Sequence, residues 1–205
     1  AGGADQIFRA RKHKKQLPVK YISVALLAFM GSAFFTVKPA DSSNFNSYQT
    51  LGNSFVQSKM YIDAAKAYDQ AIAVDNEFPN RHNEHSLSRV YKMRGEIFVM
   101  YRDNAGAQNI YQQWANRLPD DKQARTLLGW ALLGSGDYPQ ALKEFRIAGN
   151  DPQAVFGKGM CLMQLGESEN AIKAFRDVVQ EQPNYWQAWG NLASLLDQVN
   201  QPEQE

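Results

Sequence analysis

The chain has very little of what chemistry at a site is usually built from. Among 205 residues there is one cysteine, Cys161, and only three histidines, His13, His82 and His85. A single cysteine excludes an intramolecular disulfide. It falls within an apolar helical stretch, where a thiol reads as buried filler rather than a nucleophile. His82 and His85 are spaced to share one helix face around Glu84, but two ligands do not close a metal site. They read as solvated histidines in an inserted loop, and no metal is expected. The formal net charge is only +1, which gives no reason to expect nucleic acid. No G-x-S-x-G, H-E-x-x-H, phosphate-binding or dinucleotide-binding fingerprint is present, and the carboxylates are scattered rather than paired. These absences leave no case for an enzyme, a cofactor or a small-molecule substrate.

What the sequence does contain is recurrence. The passage through Leu128, Gly129 and Leu132 reads as one helix. A glycine stop at Gly136 follows, then a second helix carries Ala141 and Phe145 on one face. The same arrangement of small and large residues returns as Leu51, Gly52, Phe55, Ala64 and Tyr68, and as Gly95, Phe98, Ala107 and Tyr111. It returns again as Gly159, Leu162, Ala171 and Phe175, and a last partial unit supplies Trp189, Leu192, Ala193 and Leu196. Small residues stand where two helices must approach, and large ones where they interlock. One helical hairpin cannot bury its own apolar side, so units of this kind must stack.

These residues resemble the tetratricopeptide repeat (TPR), a helix–turn–helix of about 34 residues with the pattern W-x2-L-G-x2-Y, A-x3-F and a late proline. The resemblance covers residues 45–205, with units starting near 45, 88, 122, 152 and 186. The first spacing carries nine extra residues, placed at 76–87. Arg94 and Lys158 occupy a slot that is apolar in the family. The resemblance implies an all-α fold, a right-handed superhelical stack of TPR hairpins. It also implies that the first helices line a partner groove. In this sequence the groove slots fall on Asn46, Gln49, Asn53, Val56 and Gln57, then on Arg89, Lys92, Glu96, Val99 and Met100. They continue through Gln123, Thr126, Trp130, Leu133 and Gly134, through Gln153, Phe156, Met160, Met163 and Gln164, and end on Gln187, Gly190 and Ser194.

The groove so implied is amide-rich at its N-terminal end and apolar around Trp130, Phe156, Met160 and Met163. Chaperone-binding relatives grip a C-terminal carboxylate with a lysine and an asparagine of one unit. Here Gln49 stands in place of that lysine, although Asn53 matches. An apolar, methionine-lined floor suits an extended segment or an amphipathic helix instead. The other reading of Trp130 and the methionines is that they pack against neighbouring helices.

Ahead of the repeats the composition shifts. Residues 1–20 form a basic tail with Arg9, Arg11, Lys12, Lys14, Lys15 and Lys20 against the single acid Asp5. The stretch bounded by Tyr21 and Val37 then runs without a charge. Seventeen helical residues at ~1.5 Å each reach roughly 26 Å, which Tyr21, Lys20 and Lys38 can extend to a bilayer's hydrocarbon thickness. A soluble core helix and a cleaved signal are the rival readings. A retained transmembrane helix at 21–37, followed by a linker at 38–44, is the expectation. Its small-residue patch at Gly31, Ser32 and Ala33 would let another membrane helix approach. The positive-inside rule then places the repeats across the membrane, favouring a bacterial inner membrane with periplasmic repeats over a mitochondrial membrane.

The function expected is that of a membrane-anchored scaffold for protein–protein interaction and assembly of a membrane complex. The lipid bilayer would be bound through residues 21–37. The alternatives are a constitutive subunit of a respiratory, secretion or pilus-type complex held by its membrane helix, and a mitochondrial import receptor.

Overall fold

The computed structural model describes residues 44–79 and 81–200, and among these there are nine α-helices and no strand. They are α1 (Asn44–Gln57), α2 (Tyr61–Glu77), α3 (Glu84–Met100), α4 (Asn104–Arg117), α5 (Lys122–Gly134), α6 (Tyr138–Ala148), α7 (Pro152–Gln164), α8 (Ser168–Glu181) and α9 (Trp186–Asn200). Each helix packs on the next in sequence, and α5 also packs on α7. The result is a stack of antiparallel hairpins, as the small-and-large pattern requires. The basic tail, the expected membrane helix at 21–37 with Gly31, Ser32 and Ala33, and nearly all of the linker lie outside the described residues. No helix among the described residues is long and apolar enough to cross a membrane.

Local chemistry sets most helix starts. Asn83, Asp103, Asp121, Asp137 and Asp151 each accept from backbone N–H groups of the first turn of the helix that follows. Such caps are worth about 1 kcal/mol each. The hairpin turns repeat one geometry. The N–H of Met60, Asp103, Asp137 and Glu167 donates to the carbonyl of Phe55, Phe98, Leu132 and Leu162, at 2.8, 2.9, 3.0 and 2.9 Å. The residue just before each donor is left-handed: Lys59 (φ 60°), Arg102 (φ 58°), Gly136 (φ 84°) and Gly166 (φ 79°). Glycine fills that position without strain in the third and fourth hairpins, while a basic residue is forced into it in the first two.

The core follows from close approach. The rings of Tyr68, Tyr111, Phe145 and Phe175 lie directly over Gly52, Gly95, Gly129 and Gly159 of the preceding helix. A Cβ placed on Gly129 or Gly159 would fall 2.7 Å from the ring edge. Tyr91 and Tyr111 flank the fully buried Trp114, with ring centroids 6.5 and 6.4 Å away. Arg94, in a slot apolar in the family, is accommodated because it crosses to α2. Its Nε donates to Asp69 Oδ1 at 2.7 Å and Nη2 to Oδ2 at 3.2 Å, while its guanidinium lies 3.9 Å from the centroid of the Phe98 ring.

Within the inserted segment, His82 turns inward. The ring of His82 stacks on that of Phe45 of α1 at 4.3 Å. This corrects the expectation of a solvated His82. Its side chain is 5% exposed, and its Nδ1 lies 3.1 Å from Oδ1 of the buried Asp75. Arg117 of α4 closes the cluster, with Nε donating to Asp75 Oδ2 at 2.7 Å and Nη2 to Oδ1 at 3.2 Å. That hydrogen bond raises the Arg117 pKa further. Of His82 and His85, only the latter is exposed as expected.

Three predictions follow from the turns and the buried tyrosines. Arg102→Gly should stabilise the domain by ~0.5–1 kcal/mol, because relief of left-handed strain outweighs the added freedom of the unfolded chain. Gly136→Ala, where a Cβ meets nothing within 4 Å, should cost about 1 kcal/mol from backbone strain alone; denaturant titration compares both with the parent. Burial also pushes Tyr68, Tyr91 and Tyr111 from 10.0 up to about 12. The unfolded chain therefore loses these protons first, so stability is full below pH 10 and falls as pH rises towards 12. Thermal melts across that range should show a falling midpoint, less steep for Tyr111→Phe.

Candidate functional site

Four first helices, α1, α3, α5 and α7, present most of the residues expected to form a groove, and the structure divides them by what they already hold. On α1, the Gln49 amide Nε2 donates to the Ser86 carbonyl at 3.0 Å, which ties α1 to the first turn of α3. Asn53 Oδ1 accepts from the Tyr68 hydroxyl at 2.9 Å. Both amides are thus engaged within the stack. Gln49, which stands where clamp-type relatives carry lysine, serves as a tie between helices.

On α3, Arg89 is exposed. Lys92 and Glu96 face each other one turn apart at 3.8 Å, with side chains 37% and 48% exposed. An exposed pair of that length contributes at most a few tenths of a kcal/mol, about 0.3–0.5. Met100 is exposed, next to the exposed Val99 and Tyr101.

On α5 and α7 the aromatic groups run together. Trp130 is half-buried, edge-on to Phe145 at 5.4 Å and 6.0 Å from Phe156. Phe156 is itself buried, with Phe175 at 5.5 Å and Tyr185 at 5.0 Å. Burial raises the pKa of the Tyr185 hydroxyl, with Asp151 adding to it. Met160 is half-buried, and its sulfur accepts from the Asn191 amide at 3.5 Å. Met163 is half-buried as well. Phe156 is therefore a packing residue, while Trp130 and the two methionines keep part of their surface in solvent. Cys161, on the same helix, is fully buried, and burial lifts its thiol to about 11, so it stays protonated and inert near neutrality.

One cleft of about 280 Å³ gathers part of this set. It lies between α3, α4 and α5 and is lined by Glu96 and Val99, by Asn104, Ala107 and Tyr111, and by Leu127, Trp130 and Ala131. Glu96 and Trp130, on different repeats, are thus brought to one place, whereas Asn53, Arg89, Lys92, Phe156, Met160 and Met163 do not line it. The second-helix residues Asn104, Ala107 and Tyr111 were not anticipated as groove residues. Tyr111 reads in sequence only as a large interlocking residue, and nothing in a one-dimensional pattern says that this buried ring also lines a cleft. Among the described residues, no group of three or more histidine, cysteine or acidic side chains could hold a metal ion.

Comparison with known proteins completes the picture. A family model, the tetratricopeptide repeat, matches residues 93–155, 135–188 and 156–200, together more than half of the chain. No curated protein sequence matches it significantly. Among solved structures the fold is similar to MamA, at 16% identity over 77% of this chain and 83% of that one, with a TM-score of 0.66. It is similar to YrrB, a TPR protein with an unusual peptide-binding site, at 21% identity over 93% and 98% of the two chains, TM-score 0.59. The first TPR of Spaghetti (RPAP3), bound to the HSP90 peptide SRMEEVD, matches at 18% identity over 56% and 94%, TM-score 0.54. At these identities the likeness is one of fold.

Substitutions should separate packing from presentation. Phe156→Ala should cost about 3 kcal/mol or more, as for a large ring removed from a core. Met100→Ala, already largely in solvent, should change stability by less than ~0.5 kcal/mol. Chemical unfolding of the two variants checks both values.

Proposed function

The chain belongs to the tetratricopeptide repeat family, and from that premise we propose that it is a non-enzymatic scaffold that docks a protein partner on the face formed by α3, α4 and α5, beside a membrane. The observation that carries the docking half is the cleft of Glu96, Val99 and Trp130, a place where partly apolar surface from two repeats stays open to solvent. Members of the family are generally non-catalytic scaffolds. Two fold relatives are described with a peptide or a peptide-binding site, which supports a protein partner here. The membrane half rests on the charge-free stretch at 21–37 and the basic tail before it. With that anchor retained, the positive-inside rule sends the repeats across the membrane, which in the favoured bacterial inner membrane means the periplasm; in a mitochondrial membrane, the alternative, either face is open to them. The scaffold would then serve assembly of a membrane-associated complex.

A second reading, a constitutive subunit held through its membrane helix, is favoured by the small-residue patch Gly31, Ser32 and Ala33. Leucine at all three positions should release the protein from its complex in mild detergent if that helix is the main contact. If co-purification is unchanged, the helix is not what holds it.

Two measurements test the leading reading. Removing residues 1–38 should shift the protein from the membrane fraction to the soluble fraction with helical circular dichroism retained; a fragment that stays with the membrane contradicts the anchor. A photoreactive residue at Trp130 should give a discrete crosslinked protein. The same residue at the exposed Ile147 of α6 should not give that product, and identical adducts at both positions would contradict docking in the cleft.

A further inference from the structure

The polarity of the cleft between α3, α4 and α5 carries the functional reading a step further. Its volume of about 280 Å³ lies just below the range of sites that enclose a whole small molecule, and suits a single large side chain. Its lining is mostly apolar, from Val99, Ala107, Leu127, Trp130 and Ala131, with the Tyr111 ring on the α4 side. Val99, Met100 and Tyr101 continue that surface outward, each about half exposed, as an apolar lip at the end of α3. Asn104 offers an amide at the same edge.

Among the residues that line the cleft, Glu96 is the one that bears a charge. It stands close enough to Tyr111 for its carboxylate to add to the upward push on that hydroxyl. Its pairing with Lys92 is long and solvated, so an incoming cation can replace it at little cost. Lys92 lies about 6 Å and Arg89 about 10 Å back along α3, towards its N-terminus, and neither lines the cleft. The clamp lysine of carboxylate-binding relatives is absent, since Gln49 holds that slot and is engaged with the Ser86 carbonyl.

The geometry points to a specific class of partner: a peptide segment that seats one large apolar side chain between Val99 and Trp130 and sets an adjacent lysine or arginine on Glu96. This inference rests on the docking reading above and gives its ligand a sign. It is opposite in charge to the acidic peptide SRMEEVD held by the RPAP3 domain. A ligand carboxylate beside the anchor would instead face Glu96, with no cation lining the cleft to receive it.

The test pans phage-displayed random peptides on the purified 205-residue chain in mild detergent, and in parallel on Glu96→Lys and Trp130→Ala. The parent should enrich an apolar residue flanked by lysine or arginine, and Glu96→Lys should enrich aspartate or glutamate at that flank. A synthetic peptide from the parent selection should bind Glu96→Lys at least about tenfold more weakly, since it loses a charge-assisted contact and meets a like charge in its place. Glu96→Gln should fall between the two, with circular dichroism unchanged in all variants. Binding to Trp130→Ala should also drop at least tenfold. Enriched peptides that carry no cation, carry acids, or bind Glu96→Lys or Trp130→Ala as tightly as the parent would overturn the inference while leaving docking intact. Failure of every peptide to enrich would overturn both.

Discussion

An aromatic ring packed against a glycine is the contact on which the rest of the stack depends. It occurs at Tyr68 over Gly52, Tyr111 over Gly95, Phe145 over Gly129 and Phe175 over Gly159. The missing Cβ lets the two backbones of a hairpin close on each other, and the ring fills the space that closure leaves. Phe145 goes further, because a Cβ on Gly157 of α7 would also strike its ring. One side chain thereby joins its own hairpin to the next and explains why α5 and α7 touch. Everything exposed on the first helices, the cleft included, is positioned by these four contacts.

Apolar stacking sets the distance between helices but leaves them able to slide; the polar contacts between repeats remove that freedom. Asp121 shows how one carboxylate does this. It caps α5 through the N–H groups of Gln123 and Ala124, and accepts from the Ser88 hydroxyl at 2.6 Å and the Trp114 indole at 3.1 Å. Three helices are referred to one side chain. Arg125 does similar work at the next step, donating to Glu144 at 3.0 Å and to the Ala115 carbonyl at 3.3 Å. The Asp75, Arg117 and His82 cluster couples the first two hairpins through a fully buried carboxylate. Breaking such a buried pair by removing one partner leaves an uncompensated charge, so these contacts favour one register over its neighbours.

Function is shaped by which polar groups this scaffold consumes. Gln49 and Asn53 are spent on holding α1, so the N-terminal end of the groove has little left to offer a guest. From Glu96 to Met163 the situation reverses: Trp130, Met160 and Met163 pack on one side and remain partly open on the other. A surface of that kind binds through a few anchored side chains, with charge deciding among ligands of similar shape.

The recurrence of a small residue, a ring and a turn glycine was enough to read an all-α stack from the amino-acid order, because each unit's pattern states which faces must meet. Gly129 and Phe145 could be assigned on paper to a close approach and an interlocking slot for that reason. The fate of His82 could not, since it lies in a stretch with no periodicity and meets Phe45 and Asp75 only through the tertiary fold. The cleft was only half legible. Glu96 and Trp130 follow from the repeat slots, but Asn104, Ala107 and Tyr111 enter from a second helix whose outward side no spacing rule describes. Sequence alone determined the repeat, because burial of apolar faces obeys a local period. Tertiary structure alone decided which polar side chains are engaged and which are free, because that depends on contacts between residues as far apart as Asp75 and Arg117.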